Sequence, residues 1–351
     1  MVKVFKQKSN SLIIWMITAV LVFLTALLLI LFISYSNRIN MSSDTMTYDK
    51  YYAFIPGDPD ASFWKSVYKA CQEEGIKANS CVEMLSENLS TDYSTIELME
   101  IATASGVDGI IVAADESKEM ADAINSALSK GIPVITLFSD NSNTERTSFV
   151  GVSNYNLGTE YGNLILKLAN DKVFSDESID VIILTDAHSE AYGQNVLFGA
   201  IKETVESDVN EEGPLLPINI TMFPVNTSNS FSVEESVRSL FVSKRNMLPD
   251  IVVCLSEIDT TSIYQAVVDY NAVGLVNILG YYDSDPILKG IERNVIYSTI
   301  SIDTDEMGRA CVDALSEYYE YGNTSQYFTS DISVITKDNV EEYMKGDDYE
   351  N

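Results

Sequence analysis

Histidine is almost missing from this chain: His188 is the only one in 351 residues, beside 4 cysteines and 2 tryptophans. A zinc site built on several histidines, or a mechanism that needs two, has no residues to draw on within one chain. Cys71, Cys81, Cys254 and Cys311 show no Cys-x-x-Cys spacing. Cys71 and Cys81 are near enough in sequence to bridge a helix to the next strand, although burial as small apolar residues is the simpler reading for all four. Basic residues are scarce too, 22 Lys+Arg against 52 Asp+Glu, which leaves a net charge of −30. A field of that sign repels phosphate backbones and argues against a nucleic-acid partner. No P-loop, Gly-x-Ser-x-Gly, His-Glu-x-x-His or Gly-x-Gly-x-x-Gly occurs, so phosphate cradling, the hydrolase elbow and zincin chemistry all lack their motif. No catalytic, cofactor or metal site is therefore expected, and a hydrolase with its acids assembled only in three dimensions is the remote alternative.

What the chain does have begins with residues 12–33, LIIWMITAVLVFLTALLLILFI, an uncharged run of the length a helix needs to cross hydrocarbon. It is too long for the core of a cleavable signal, and Ser34 and Ser36 make a poor cleavage site. Lys3, Lys6 and Lys8 precede it, which by the positive-inside rule leaves the N-terminus in the cytoplasm and the body outside. The expected organisation is a cytoplasmic tail over 1–11, a transmembrane anchor over 12–35 and a polar linker over 36–49.

From residue 50 onward, apolar runs alternate with helical spacing. The runs are 51–55, 109–113, 133–138, 148–152, 180–185, 218–223, 250–255, 275–280 and 295–300. Continuous apolar strands separated by helices imply buried parallel strands and right-handed βαβ units, an α/β fold. Ser94 with Glu97, and Ser232 with Glu235, have capping-box spacing and mark helix starts. Residues 106–124 and 248–267 echo each other in pattern, as two similar lobes would. Open parallel sheets bind ligand beyond the carboxyl ends of their strands, so the residues just after each run are the site candidates. These are Ser62, Phe63 and Trp64; Phe138, Ser139 and Asp140; His188, Tyr192 and Gln194; Ser256; and Tyr282 and Asp283. Aromatic faces at a helix start can stack on a sugar ring, and the hydroxyls, amide and carboxylates suit a polar small ligand. Each has a plainer reading: a hydrophobic staple for Phe63 or Trp64, a turn former for Asp140, a solvated loop residue for His188.

Ala61-Ser-Phe-Trp64, Gly106 to Val112, GIPVITLFSD (131–140), FVGVSNYNLGTEYG (149–162), IVVCLSEIDTTSIYQAV (251–267), ILGYYDS (278–284) and residues 295–315 together resemble, in order, the type I periplasmic binding proteins. The likeness is strongest to the ribose/galactose-binding branch and the ligand-binding half of LacI-type repressors, and no helix-turn-helix precedes it here. It implies two Rossmann-like lobes joined by a three-segment hinge near 153, 302 and 329. Lobe 1 would comprise 50–153 plus 302–328, and lobe 2 154–301 plus 329–346. The sugar-gripping Asp and Arg that the family carries after its fourth strand fall at Phe138 and Ser139, its Arg at Gln194, its Asn-Asp at Ser256-Glu257, its Asp at Tyr282 and its hinge Gln at Ile302. The resemblance implies a small, sugar-like ligand and, as partner, either an ABC permease or a membrane histidine kinase. The lost Asp/Arg grips shift weight toward stacking.

Overall fold

The computed structural model describes residues 47–89, 93–171, 178–187, 192–207, 217–227, 229–243 and 248–344, together with Thr25. The chain divides into two units, Met1–Asp49 and Lys50–Asn351. Among the described residues no helix is long and apolar enough to cross a membrane, and the run 12–33 lies outside them apart from Thr25.

In the second unit the elements run β1 (Lys50–Ile55), α1 (Ser62–Lys77), β2 (Ser80–Met84), α2 (Thr95–Ser105), β3 (Gly109–Val112), α3 (Lys118–Ser129), β4 (Val134–Leu137), β5 (Ser148–Gly151) and α4 (Asn154–Asp171). They continue with β6 (Ile179–Asp186), α5 (Tyr192–Ser207), β7 (Ile218–Val225), α6 (Ser230–Ser243), β8 (Ile251–Val253), α7 (Glu257–Asp269), β9 (Asn277–Tyr281) and α8 (Asp285–Glu292). The series ends with β10 (Ile296–Ile302), α9 (Thr304–Tyr321), β11 (Tyr327–Thr329), β12 (Ile332–Thr336) and α10 (Val340–Met344).

Two six-stranded sheets result, ordered β11-β5-β4-β3-β1-β2 and β12-β10-β9-β8-β6-β7. Among the described residues every strand pairing is parallel except β10 with β12. Each sheet is the centre of one α/β lobe. The chain passes between lobes three times: from β5 to α4, from β10 to α9, and from β11 to β12. The central strands β3 and β4 are buried along their whole length, as strands covered by helices on both faces must be. Full burial of a residue such as Ile111 or Ile135 contributes roughly 1.5–3 kcal/mol, so these short runs anchor their lobe.

Helix approach depends on small residues. A Cβ at Gly308 of α9 would lie 2.4 Å from the Ala70 Cβ and 2.7 Å from the Val67 carbonyl oxygen of α1. One at Gly158 of α4 would lie 2.5 Å from the Leu197 carbonyl oxygen of α5. The Ser94–Glu97 capping box forms in full at the start of α2. The Ser232–Glu235 box does not: α6 begins at Ser230, and Asn229 Oδ1 accepts the Ser232 N–H at 2.9 Å, placing Ser232 within the first turn. Cys71, Cys81, Cys254 and Cys311 all keep free thiols.

One buried apolar cluster is shared by both lobes, running from Phe54, Met84 and Leu137 through Tyr281 and Tyr282 to Leu279 and Ile183. Two further clusters fill the outer faces, one under α2 and α3 and one under α6, α7 and α8.

Candidate functional site

The carboxyl ends of both sheets meet at the junction of the lobes. Lobe 1 contributes the start of α1 after β1, where Ala61 is the N-cap and offers no side-chain cap. The uncapped first turn finds its acceptor in the other lobe: the Phe63 N–H points to Glu257 Oε2 at 3.4 Å. A carboxylate at a helix N-terminus also complements the helix dipole.

Two aromatic residues follow matching strand ends in the two lobes with the same unusual backbone. Phe138 after β4 has φ +67°, and Tyr282 after β9 has φ +72°. The Phe138 N–H donates to Val150 O on β5 at 2.8 Å, and the Tyr282 N–H to Ile300 O on β10 at 2.7 Å. Left-handed backbone at a bulky residue is strained, and it is retained where the surroundings over-determine it.

Their rings meet those of α1. Phe63 lies 5.0 Å from Phe138 and 5.5 Å from Tyr282 between centroids, the latter at 89°. Trp64 stands edge-on to Phe63 at 5.1 Å and to Phe138 at 5.9 Å, and Phe138 approaches Tyr281 at 6.1 Å. Phe63, Trp64, Tyr281 and Tyr282 are buried and Phe138 is half-buried. The Tyr282 hydroxyl donates to Ser66 Oγ at 3.0 Å. Burial pushes that hydroxyl up to about 12, with Asp283, Glu257 and Asp305 adding to the effect, so it remains a donor at neutral pH.

The other expected site residues are placed differently. Asp140 turns into its own lobe: its Oδ1 accepts from Arg146 Nε at 2.5 Å and Thr136 Oγ1 at 2.6 Å, and its Oδ2 from Arg146 at 2.7 Å. Arg146 in turn lies over the Tyr327 ring at 4.8 Å. Three of the carboxylate's acceptor positions are thus occupied within the lobe, two of them by the bidentate Arg146 pair. Ser62 and Ser139 are exposed. Ser256 caps α7 through the Asp259 N–H at 3.1 Å, and Asp283 Oδ2 accepts from Ser301 Oγ at 2.7 Å. His188 lies outside the described residues; Tyr192 and Gln194 open α5, but their side chains lie outside the description.

The structure adds residues that the strand-end reading did not select. Ser66 sits one turn beyond Ser62, a spacing that helical periodicity could have flagged. Tyr281 and Asp259 are buried, and the Tyr281 hydroxyl and Asp259 Oδ1 have no hydrogen-bond partner. Burial raises the Asp259 carboxyl to about 6, opposed by hydrogen bonds from Ser256 and the Leu255 backbone and reinforced by Asp186. The Tyr161 hydroxyl of α4 donates to Cys254 O at 2.8 Å and Gly280 O at 3.0 Å, tying the second lobe's strand ends to the helix behind them. Among the described residues no group of three or more His, Cys, Asp or Glu is arranged to hold a metal ion.

A model of the periplasmic binding protein domain matches residues 52–324. No curated protein sequence matches the chain. Among solved structures, the XylFII–LytSN complex aligns with a TM-score of 0.66 and 25% identity over 82% of this chain and 98% of that one. GanP, a glucose-galactose binding protein from Geobacillus stearothermophilus, aligns with a TM-score of 0.70 and 19% identity over 83% and 98%. A solute-binding protein of an ABC transporter from Burkholderia graminis, in complex with D-arabinose, aligns with a TM-score of 0.70 and 20% identity over 85% and 98%.

Proposed function

The chain belongs to the periplasmic binding protein domain family, and we propose that it binds a small, sugar-like ligand between its lobes as the solute-binding component of an ABC importer. In this reading residues 12–35 anchor it in the membrane with the N-terminus in the cytoplasm and both lobes outside, and it catalyses no reaction. The observation that carries the proposal is the convergence of both sheets' carboxyl ends on one aromatic junction, the place where open parallel sheets take ligands. Ring faces suit the apolar face of a sugar, and the hydroxyls and carboxylates around them suit its polar edge.

A second reading is favoured by the likeness to XylFII in complex with LytSN. The same anchored domain would then act as a ligand sensor that passes its occupancy to a membrane partner such as a histidine kinase.

A thermal-shift series on the full chain in detergent tests the shared core of both readings. D-Arabinose, D-allose, glucose and galactose are the first panel. A ligand that binds only the folded state at 100 times its Kd stabilises by about 2.7 kcal/mol, which is readily seen as a rise in Tm. Absence of any shift across neutral monosaccharides, with turnover of a glycoside or ester instead, would overturn the binding reading. Co-purification with a permease or with a kinase separates importer from sensor.

A further inference from the structure

Resting on the two-lobe binding reading, a further feature concerns what holds the lobes together. In hinge-closing proteins the closed form is favoured by whatever contacts both halves at once, and ordinarily that is the ligand. Here side chains of the protein make such contacts. Tyr282, carried by lobe 2, donates its hydroxyl to Ser66 Oγ in lobe 1 at 3.0 Å. Its ring meets Phe63 of lobe 1 edge-on at 5.5 Å. Glu257 of lobe 2 accepts from the Phe63 N–H, and Tyr281 of lobe 2 faces Phe138 of lobe 1 at 6.1 Å. Both Tyr282 and Phe63 are buried by this arrangement. The left-handed backbone at Tyr282 (φ +72°) is held within lobe 2, its N–H donating to Ile300 O at 2.7 Å and its carbonyl accepting from Thr299 Oγ1 at 2.6 Å, and a conformation of that kind persists only when its surroundings stabilise it.

We propose that Tyr282 is a tethered stand-in for ligand: it latches the lobes together before any ligand arrives, and a ligand enters by displacing the ring from Phe63 and the hydroxyl from Ser66. The resting protein is therefore mostly closed, and its apparent affinity is reduced by the small fraction that is open. Ligand arrival exchanges one closed form for another, so the difference that a partner reads lies in the Tyr282 contacts and not in a large change of hinge angle.

Distance measurements between nitroxide labels on the full chain test this directly. Labels at Glu119→Cys in lobe 1 and Lys289→Cys in lobe 2 occupy exposed helix positions, and Cys81→Ser removes the one native thiol that is not buried. The expected result without ligand is a single short distance in the parent. Tyr282→Ala should add a second, longer population. Tyr282→Phe and Ser66→Ala, which remove only the hydrogen bond, should each show the same longer population, absent from the parent, at a smaller share than Tyr282→Ala. A ligand-free parent that is mainly in the long-distance form overturns the proposal, and so does one common distribution in all four proteins. If Tyr282→Ala does not fold, the two conservative variants decide. Adding the sugar panel to the same samples keeps the two ideas apart: no thermal shift with any sugar counts against the binding reading, while the distances judge the latch alone.

Discussion

The ring of Tyr282 stands at 89° to the ring of Phe63, centroids 5.5 Å apart, although the two residues belong to different lobes. Edge-to-face pairs of this kind contribute about 0.5–1.5 kcal/mol beyond area burial. A double-mutant cycle of Phe63→Leu and Tyr282→Leu, read by urea unfolding, is expected to return a coupling in that range. A coupling near zero would mean that the rings do not meet in solution.

Asp140 and Arg146 form a pair whose side chains are only 21% and 7% exposed. Asp140→Asn leaves the guanidinium without its counter-ion, and breaking such a pair costs about 3 kcal/mol, toward the low side because the carboxylate still touches solvent. The expected signature is a lower unfolding midpoint with ligand affinity unchanged. A loss of affinity at constant stability would return Asp140 to the binding site.

Asp259 has a carboxyl raised to about 6 by burial, from an ordinary value of 3.8. Between those two values the folded state holds a proton that the unfolded state has released, so stability falls as pH rises through that window and levels off above it. The size is on the order of 3 kcal/mol. Urea unfolding at pH 4.5 and pH 7.5 should show the decline, and Asp259→Asn should abolish this component and be the more stable protein at pH 7.5.

Two glycines give opposite expectations for the same substitution. Gly308→Ala drives a methyl into the Ala70 side chain and the Val67 carbonyl and should cost about 1–3 kcal/mol through overpacking. Gly199, exposed on α5, has nothing within 4 Å of its added Cβ, so Gly199→Ala should stabilise by about 0.5–1 kcal/mol through helix propensity. Melting temperatures of the two variants check the pair.

Much of the α/β architecture was legible. All nine apolar runs became strands, because a strand covered on both faces must be apolar throughout, and that signature survives in one dimension. The three strands that were not picked out, β2, β11 and β12, lie at sheet edges. Their burial alternates or stays partial, so no continuous apolar run announces them. The start of α6 was misplaced by a local competition: Asn229 reaches the Ser232 N–H, and spacing alone does not say which of two capping residues reaches first.

The candidate site was less legible, and the reason is range. Strand-end logic placed Phe63, Trp64, Phe138 and Tyr282 near one another, since each follows a strand at the same edge of its sheet. Nothing local shows that Ser66 meets a tyrosine 216 positions away, and even over six residues spacing alone does not say that Arg146 folds back onto Asp140.

Hydrophobic periodicity and turn chemistry thus determined by themselves that the body is α/β with buried parallel strands, because those signals act over a few residues and each is repeated many times; its division into two lobes was implied by the family resemblance. Which side chains face ligand, which pair within a lobe and which cross between lobes was decided only by tertiary structure. A hydrogen bond or ring contact forms where two distant backbones bring its partners within a few ångströms, and their separation along the chain carries no trace of it.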